Sequence, residues 1–313
     1  MERREFLLGA MTVAAAPLMA SVHGADDKAA GRRYHLLGVP LRAGSLMPGN
    51  ENDAQAYRDA QIVERMRAAG LQVVDDGDVA IPSYLPHHSV PPIRSWPAPR
   101  IAWEAIRDRV APILGQPGEV PFLIGCDCSV VVGTTEALAK ASPEVHVLYI
   151  DGDFDDAAPV AARSTSAASC AVWLLTHESP FWAGPILKPS QVTVIGWTNG
   201  SRSPESAVSS ISLAEVRRRG AREAAIAALR SIPASASILL HFDMDVLRKA
   251  DLPVAYFPHA EGMSLSEAGE MLKVFLSDSR IRIVEVSEYA ALRDLDGVYV
   301  RKLIDLFCGA SKR

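Results

Sequence analysis

Two apolar runs that end in carboxylates constrain this chain more than any other feature. One is Val147-Leu148-Tyr149-Ile150-Asp151-Gly152-Asp153-Phe154-Asp155-Asp156; the other is Ser237-Ile238-Leu239-Leu240-His241-Phe242-Asp243-Met244-Asp245. Residues two apart along a strand project to the same face, so Asp243 and Asp245 share one side, and Asp151, Asp153 and Asp155 do likewise. Gathering like charges at the ends of buried strands is costly unless something compensates, and a cation is the usual solution. The pattern predicts the two halves of a metal site.

Hydrophobic periodicity places strands at 34–40, 71–75, 120–124, 145–150, 191–196, 236–242 and 280–286. Helices are expected at 53–69, 101–114, 130–140, 170–176, 212–230, 264–276 and 295–307. Ser264, with Glu267 three residues on, forms a capping box for the helix that follows. Residues 76–99 and 246–263 are proline-punctuated loops, and His87-His88 in the first reads as a pair of surface histidines. The polar stretch from Asn199 to Ser209 is a further loop. Strands alternating with helices imply an α/β fold, a three-layer α/β/α sandwich with a mainly parallel sheet, formed by residues 34–308 as one domain. Such sheets bind ligands outside the carboxyl ends of their strands, where the aspartate clusters fall.

The formal net charge of -5 over 313 residues argues against a nucleic-acid or anionic-membrane partner. Residues 1–24 read as a secretory signal: a charged start, an apolar run to about Ala20, then small residues before Ala25. The segment is too short for a stable membrane anchor, and Arg3-Arg4-x-Phe6-Leu7 resembles the twin-arginine export motif. Residues 25–33 are a polar linker. Periplasmic or secreted localisation follows as the expectation. Of the four cysteines, Cys126 and Cys128 are too close to cross-link usefully, so a disulfide scaffold is not expected.

The motifs together resemble the ureohydrolases, the family of arginase, agmatinase and formiminoglutamase. Gly125-Cys126-Asp127-Cys128-Ser129 resembles their Gly-Gly-Asp-His-Ser, and Asp151-Gly152-Asp153-Phe154-Asp155 their Asp-Ala-His-x-Asp. His241-Phe242-Asp243-Met244-Asp245 resembles Ser-Phe-Asp-x-Asp. Glu261-Gly262-Met263-Ser264-Leu265-Ser266-Glu267 resembles Gly-Gly-Leu-Thr-x-x-Glu, and Val284-Glu285-Val286 stands where the family has a Glu that holds the guanidinium. The resemblance implies an arginase-like fold and two Mn²⁺ ions per chain, bridged by a hydroxide that attacks a guanidine or amidine carbon. Carried over by position, one ion would meet Cys128, Asp151, Asp155 and Asp243, and the other Asp151, Asp153, Asp243 and Asp245. Asp155 and Glu285 would serve the chemistry, the partner would be a small cationic substrate, and a homotrimer or homohexamer is implied.

Departures from the family pattern bear on the metal. Cys128 and Asp153 replace both ligand histidines, so six potential anions stand where the family has four, an excess of about two negative charges over two divalent ions. Carboxylates favour hard ions such as Mn²⁺, Mg²⁺ or Ca²⁺, whereas a thiolate favours softer ones such as Zn²⁺. The family's proton-shuttling histidine falls near Ala168, and its acidic contacts after the middle strand fall near Asn199 and Ser201, so arginase activity itself is not expected. Structural alternatives stand beside each assignment: Asp127 as a helix cap, Cys128 as a buried apolar residue or paired with Cys170, and the aspartates as a metal-free cluster. The functional reading is an exported metal-dependent hydrolase of a C–N bond in a guanidine, hydroxyguanidine or amidine. The alternatives are a degenerate member that binds a metal or a cationic small molecule without turnover, and a histone-deacetylase-like amidohydrolase, whose paired-histidine signature is absent.

Overall fold

In the computed structural model, residues 31–311 are described apart from 83–86, 89–91, 163, 183–186, 199–201 and 203. The proposed signal at 1–24, most of the linker, Asn199 and Ser201 lie outside the described residues. Eight strands form one sheet: β1 Arg33–Gly38, β2 Gln72–Asp78, β3 Glu119–Cys126, β4 Val145–Ile150, β5 Val192–Ile195, β6 Ser209–Ile211, β7 Ser237–Asp243 and β8 Ile281–Ser287. Their order across the sheet is β2-β1-β3-β8-β7-β4-β5-β6, and every neighbouring pair is parallel. The expected parallel α/β fold is therefore present. Among the described residues no helix is long and apolar enough to cross a membrane.

Strand alternation creates the two faces. On β7, Ile238, Leu240 and Phe242 enter one core while Leu239 enters the other; on β3, Val120, Phe122 and Ile124 oppose Leu123 in the same way. The first core is covered by α1 Asp53–Asp59, α2 Ile62–Ala68, α6 Leu213–Arg219, α7 Ala221–Ser231, α8 Leu265–Ser277 and α9 Val298–Ala310. The second is covered by α3 Ala98–Leu114, α4 Val130–Ala141 and α5 Ala171–Thr176. Helices on both faces of a parallel sheet make the three layers.

Three local differences from expectation have physical causes. The helix expected over 53–69 breaks after Asp59, where Gln61 takes a left-handed φ of 60° and restarts the chain as α2. The helix over 212–230 divides at Gly220, whose φ of 86° ends α6 and opens α7. Ser209–Ile211, at the edge of the polar loop, pairs with β5 as the last strand, because an edge strand with one open side needs no apolar alternation. By contrast, the α8 cap forms as read: Ser264 Oγ accepts from Glu267 N at 3.2 Å, and Glu267 Oε2 accepts from Ser264 N at 2.7 Å.

His146 on β4 supplies a pH-dependent stability prediction. It is 3% exposed, its Nε2 lies 3.0 Å from Thr193 Oγ1, and burial, reinforced by Arg280, pushes its pKa down to about 4. The unfolded chain binds this proton near pH 6.5, whereas the folded chain takes it up only near pH 4. Stability is thus intact above pH 6.5 and falls by about 3 kcal/mol as the pH drops to 4. His146→Gln should flatten that slope in urea titrations run between these pH values. Equal slopes for parent and variant would remove His146 as its cause.

Candidate metal centre

The four central strands, β3, β8, β7 and β4, end together, and their register sets the site. Tyr149 on β4 pairs with His241 on β7, which pairs with Glu285 on β8; two residues further on, Ser287 pairs with Asp243. Parallel neighbours in register place side chains side by side, so these residues form two rows at the carboxyl edge. In the lower row, the His241 ring stacks on Tyr149 at 4.4 Å between centroids and 6° between planes. Its Nδ1 lies 2.8 Å from Glu285 Oε2, and its Nε2 lies 3.2 Å from Ser287 Oγ. His241 and Glu285 are both fully buried.

The upper row is acidic. Cys128, in the turn between β3 and α4, brings its Sγ within 2.6 Å of Asp243 Oδ2, 3.4 Å of Ser287 Oγ and 4.0 Å of Asp151 Oδ2. Cys128, Asp151, His241 and Asp243 each offer one donor atom, and the four atoms lie within 4.8 Å of one another. Backbone amides hold the carboxylates in place: Asp153 N donates to Asp151 Oδ1 at 2.6 Å, Asp245 N to Asp243 Oδ1 at 2.7 Å, and Gly152 N to Asp245 Oδ1 at 3.0 Å. The same geometry explains the i, i+2 spacing, because each first aspartate caps the turn that presents the second.

A second donor group sits at the outer edge. Asp153, Asp245 and His259 place one atom each within 4.8 Å. His259 Nε2 lies 3.3 Å from Asp153 Oδ2 and 3.5 Å from Asp245 Oδ2, aligned for a hydrogen bond with neither. The two carboxylates, Asp153 foremost, raise its pKa to about 10, so an imidazolium occupies the space between them.

Each predicted residue can now be placed. Cys128, Asp151 and Asp243 come together in the inner group, and Asp153 and Asp245 in the outer. Asp155 joins neither. It takes a left-handed φ of 50°, lies against Asp151, and its Oδ2 accepts from Tyr149 OH at 2.6 Å. Glu285 lies one row beneath the acidic edge with Oε2 on His241, and its Oε1 has no partner. Asp127 ties the turn before α4 to a distant loop and does not cap the helix: it accepts from Gly44 N and Ser129 N, each at 2.9 Å, and from Ser129 Oγ at 2.5 Å, while the N-cap position is Ser129. Cys128 and Cys170 are free thiols and do not pair with each other. Reading by motif quoted His241 without assigning it a role, and missed His259 and Glu288. Glu288 directly follows β8, is 4% exposed, has a φ of 60° and leaves Oε2 without a partner.

The electrostatics are those of a cation site. Burial, then neighbouring carboxylates, pushes the carboxyls of Asp151, Asp155, Asp243 and Glu288 well above their ordinary range, and burial with Asp243 and Asp151 does the same to the Cys128 thiol. Carboxylate, thiolate and imidazole donors this close match the ligands that divalent transition metals take. The donor set therefore fits a metal ion in each group.

A family model described as Arginase family matches residues 32–304. This chain belongs to the arginase family. It is 24% identical to the arginase of Bacillus subtilis (strain 168) over 270 residues, which span 83% of this chain and 90% of that one. It is 23% identical to the arginase of Brevibacillus brevis over 289 residues, 88% of this chain and 96% of that one. The fold matches that of the native arginase of Bacillus caldovelox with a TM-score of 0.79 at 21% identity, covering 90% of this chain and 99% of that one. A formiminoglutamase of Trypanosoma cruzi solved with Mn²⁺ matches with a TM-score of 0.71 at 20% identity, covering 90% and 93%. In this arginase-family chain, the two donor groups lie at the carboxyl edge of the central strands.

Proposed function

We propose that this chain is a metal-dependent hydrolase that cleaves a C–N bond in a guanidine, hydroxyguanidine or amidine. The observation that carries the reading is the convergence of two donor groups, the buried Cys128–Asp151–His241–Asp243 and the half-buried Asp153–Asp245–His259, at one strand edge. Asp151, Asp243 and Cys128 would hold an inner ion, and Asp153 and Asp245 an outer one. When bound, two divalent ions activate water and neutralise charge developing on the substrate. The acidic strand edge favours a cationic substrate, and Asp155, half-buried beside Asp151, can accept a hydrogen bond from it. Export rests on residues 1–24, and recovery of the chain from the cytoplasm alone would refute it.

A second reading, metal or cation binding without turnover, is supported by one observation: Glu285, the residue that resemblance assigns to the substrate's cationic head, already carries His241. One experiment separates the two. The protein, purified under reducing conditions and equilibrated with Mn²⁺, is expected to hold about two ions by elemental analysis. It should then release urea or ammonia from a panel of guanidines and amidines. Two ions without any turnover would favour the second reading, and no ions at all would refute the hydrolase and leave only binding of a cationic small molecule.

A further inference from the structure

We infer that His241 and His259 are metal ligands, one for each ion, and that they take over the imidazole coordination which Cys128 and Asp153 cannot supply. The inference rests on the metal-centre reading above and concerns two residues that lie outside the ligand set implied by resemblance.

The argument for His241 is its orientation. With Nδ1 2.8 Å from Glu285 Oε2, a neutral ring that donates to the carboxylate keeps Nε2 as its acceptor atom, hydrogen-bonded only to the Ser287 hydroxyl, which a metal ion can displace. That nitrogen faces Ser287 Oγ, which is 3.2 Å away and itself 3.4 Å from Cys128 Sγ. A carboxylate that holds one imidazole nitrogen so that the other can bind a metal is the usual support of a ligating histidine. The arrangement gives Glu285 a positioning role in this chain, which accounts for its full burial beneath the acidic row. The stack on Tyr149 fixes the ring plane as well.

His259 rests on independent observations. Its Nε2 is buried between Asp153 Oδ2 at 3.3 Å and Asp245 Oδ2 at 3.5 Å, aligned for a hydrogen bond with neither, so a divalent ion held by the two carboxylates would take the place of the Nε2 proton and find the ring nitrogen beside it. The backbone also leaves room for it. A Cβ on Gly152 would stand 2.6 Å from His259 Cδ2, 2.9 Å from Asp245 O and 2.9 Å from Asp245 Oδ1. The ring thus fills the space that an alanine side chain would need, and the element this segment resembles carries Ala at that position. A smaller residue and an incoming histidine occur together at each group: Gly152 with His259, and Cys128 with His241.

The test is metal binding read by stoichiometry, affinity and spectroscopy. The full chain is loaded with Mn²⁺ for equilibrium dialysis and with Co²⁺ for proton NMR. The parent should bind about two ions and show two imidazole N–H resonances shifted by Co²⁺, of which the His241 signal exchanges slowly because its proton is buried against Glu285. His241→Ser and His259→Asn should each remove one shifted resonance and weaken one ion at least ~100-fold, and Glu285→Gln should weaken the inner ion ~10-fold. Gly152→Ala should reproduce the His259→Asn result by displacing the ring. Two ions bound with parental affinity in His259→Asn and Glu285→Gln, or no shifted N–H resonance in the parent, would overturn the inference while leaving the metal centre standing. A parent that binds neither metal overturns both. His259→Asn at the half-buried outer group keeps the test open if His241→Ser does not fold.

Discussion

Asp243→Asn should abolish tight metal binding and all metal-dependent hydrolysis, and should at the same time raise the melting temperature of the metal-free protein. The two effects have opposite signs because Asp243 serves the ion at the expense of the fold. Its side chain is 2% exposed, lies 2.6 Å from the Cys128 thiol, and accepts from Asp245 N at 2.7 Å. Burial, then the neighbouring Asp245 and Glu288, hold its carboxyl well above the ordinary range. A carboxyl whose folded pKa exceeds its unfolded value leaves stability intact in acid and removes it as the pH rises past the unfolded value. The metal-free parent therefore bears that cost at neutral pH. Asparagine has the same shape and still accepts from Asp245 N, so it removes the cost without orphaning the amide. With metal the order reverses. An ion at about 1,000 times its Kd stabilises the parent by about 4 kcal/mol, and the variant gains little of this. Thermal melts with EDTA and with Mn²⁺ measure both arms. A variant that melts below the parent in EDTA would show that burying the Asp243 carboxyl carries no such cost, and one stabilised as much as the parent by Mn²⁺ would show that it does not bind the ion.

The layered fold and the aspartates were legible in the sequence because both depend on local pattern. The run Val145–Ile150 is buried at every position, as a central parallel strand must be, and its carboxylates follow where the strand ends. The capping box at Ser264 is equally local. The histidines were not legible, for a different reason. His241 meets Glu285 only because β7 and β8 are neighbours in register, although 44 residues separate them in the chain. Periodicity identifies a strand but does not say which strand lies next to it. His259 sits in a loop 14 positions beyond Asp245 (259 minus 245), where spacing carries no signal. Its one trace was the glycine at 152, which reads as an ordinary turn residue until the space beside it is seen to be filled. The breaks at Gln61 and Gly220 divide the same way. Glycine at a helix boundary is a readable signal, whereas a left-handed glutamine follows from packing and cannot be read from residue type.

The largest stability loss is expected for Gly125→Ala, and its comparison with Gly220→Ala separates two costs that glycines usually confound. Both residues have positive φ, 76° and 86°, so alanine at either is strained by ~1–2 kcal/mol. At Gly220 a Cβ would meet nothing within 4 Å, so strain is the whole cost. At Gly125 it would stand 2.4 Å from Ala54 N and 2.8 Å from Ala54 Cα, backbone atoms that cannot rotate away. Ala54 lies in the first turn of α1 and is fully buried, so either the helix or the end of β3 must move. Overpacking of this kind adds about 1–3 kcal/mol. The total at Gly125 approaches ~4 kcal/mol, a large share of the stability of a typical domain. The damage should also reach the site, because Gly125 lies at the end of β3 that leads into the turn carrying Asp127 and Cys128, whose Sγ must lie beside Asp243. Urea unfolding should show Gly125→Ala losing at least twice as much stability as Gly220→Ala. Mn²⁺ affinity should fall in the first variant and hold in the second. Equal midpoints for the two variants would mean that β3 and α1 are not in contact at this point, and the placement of Cys128 by that contact would fail with it.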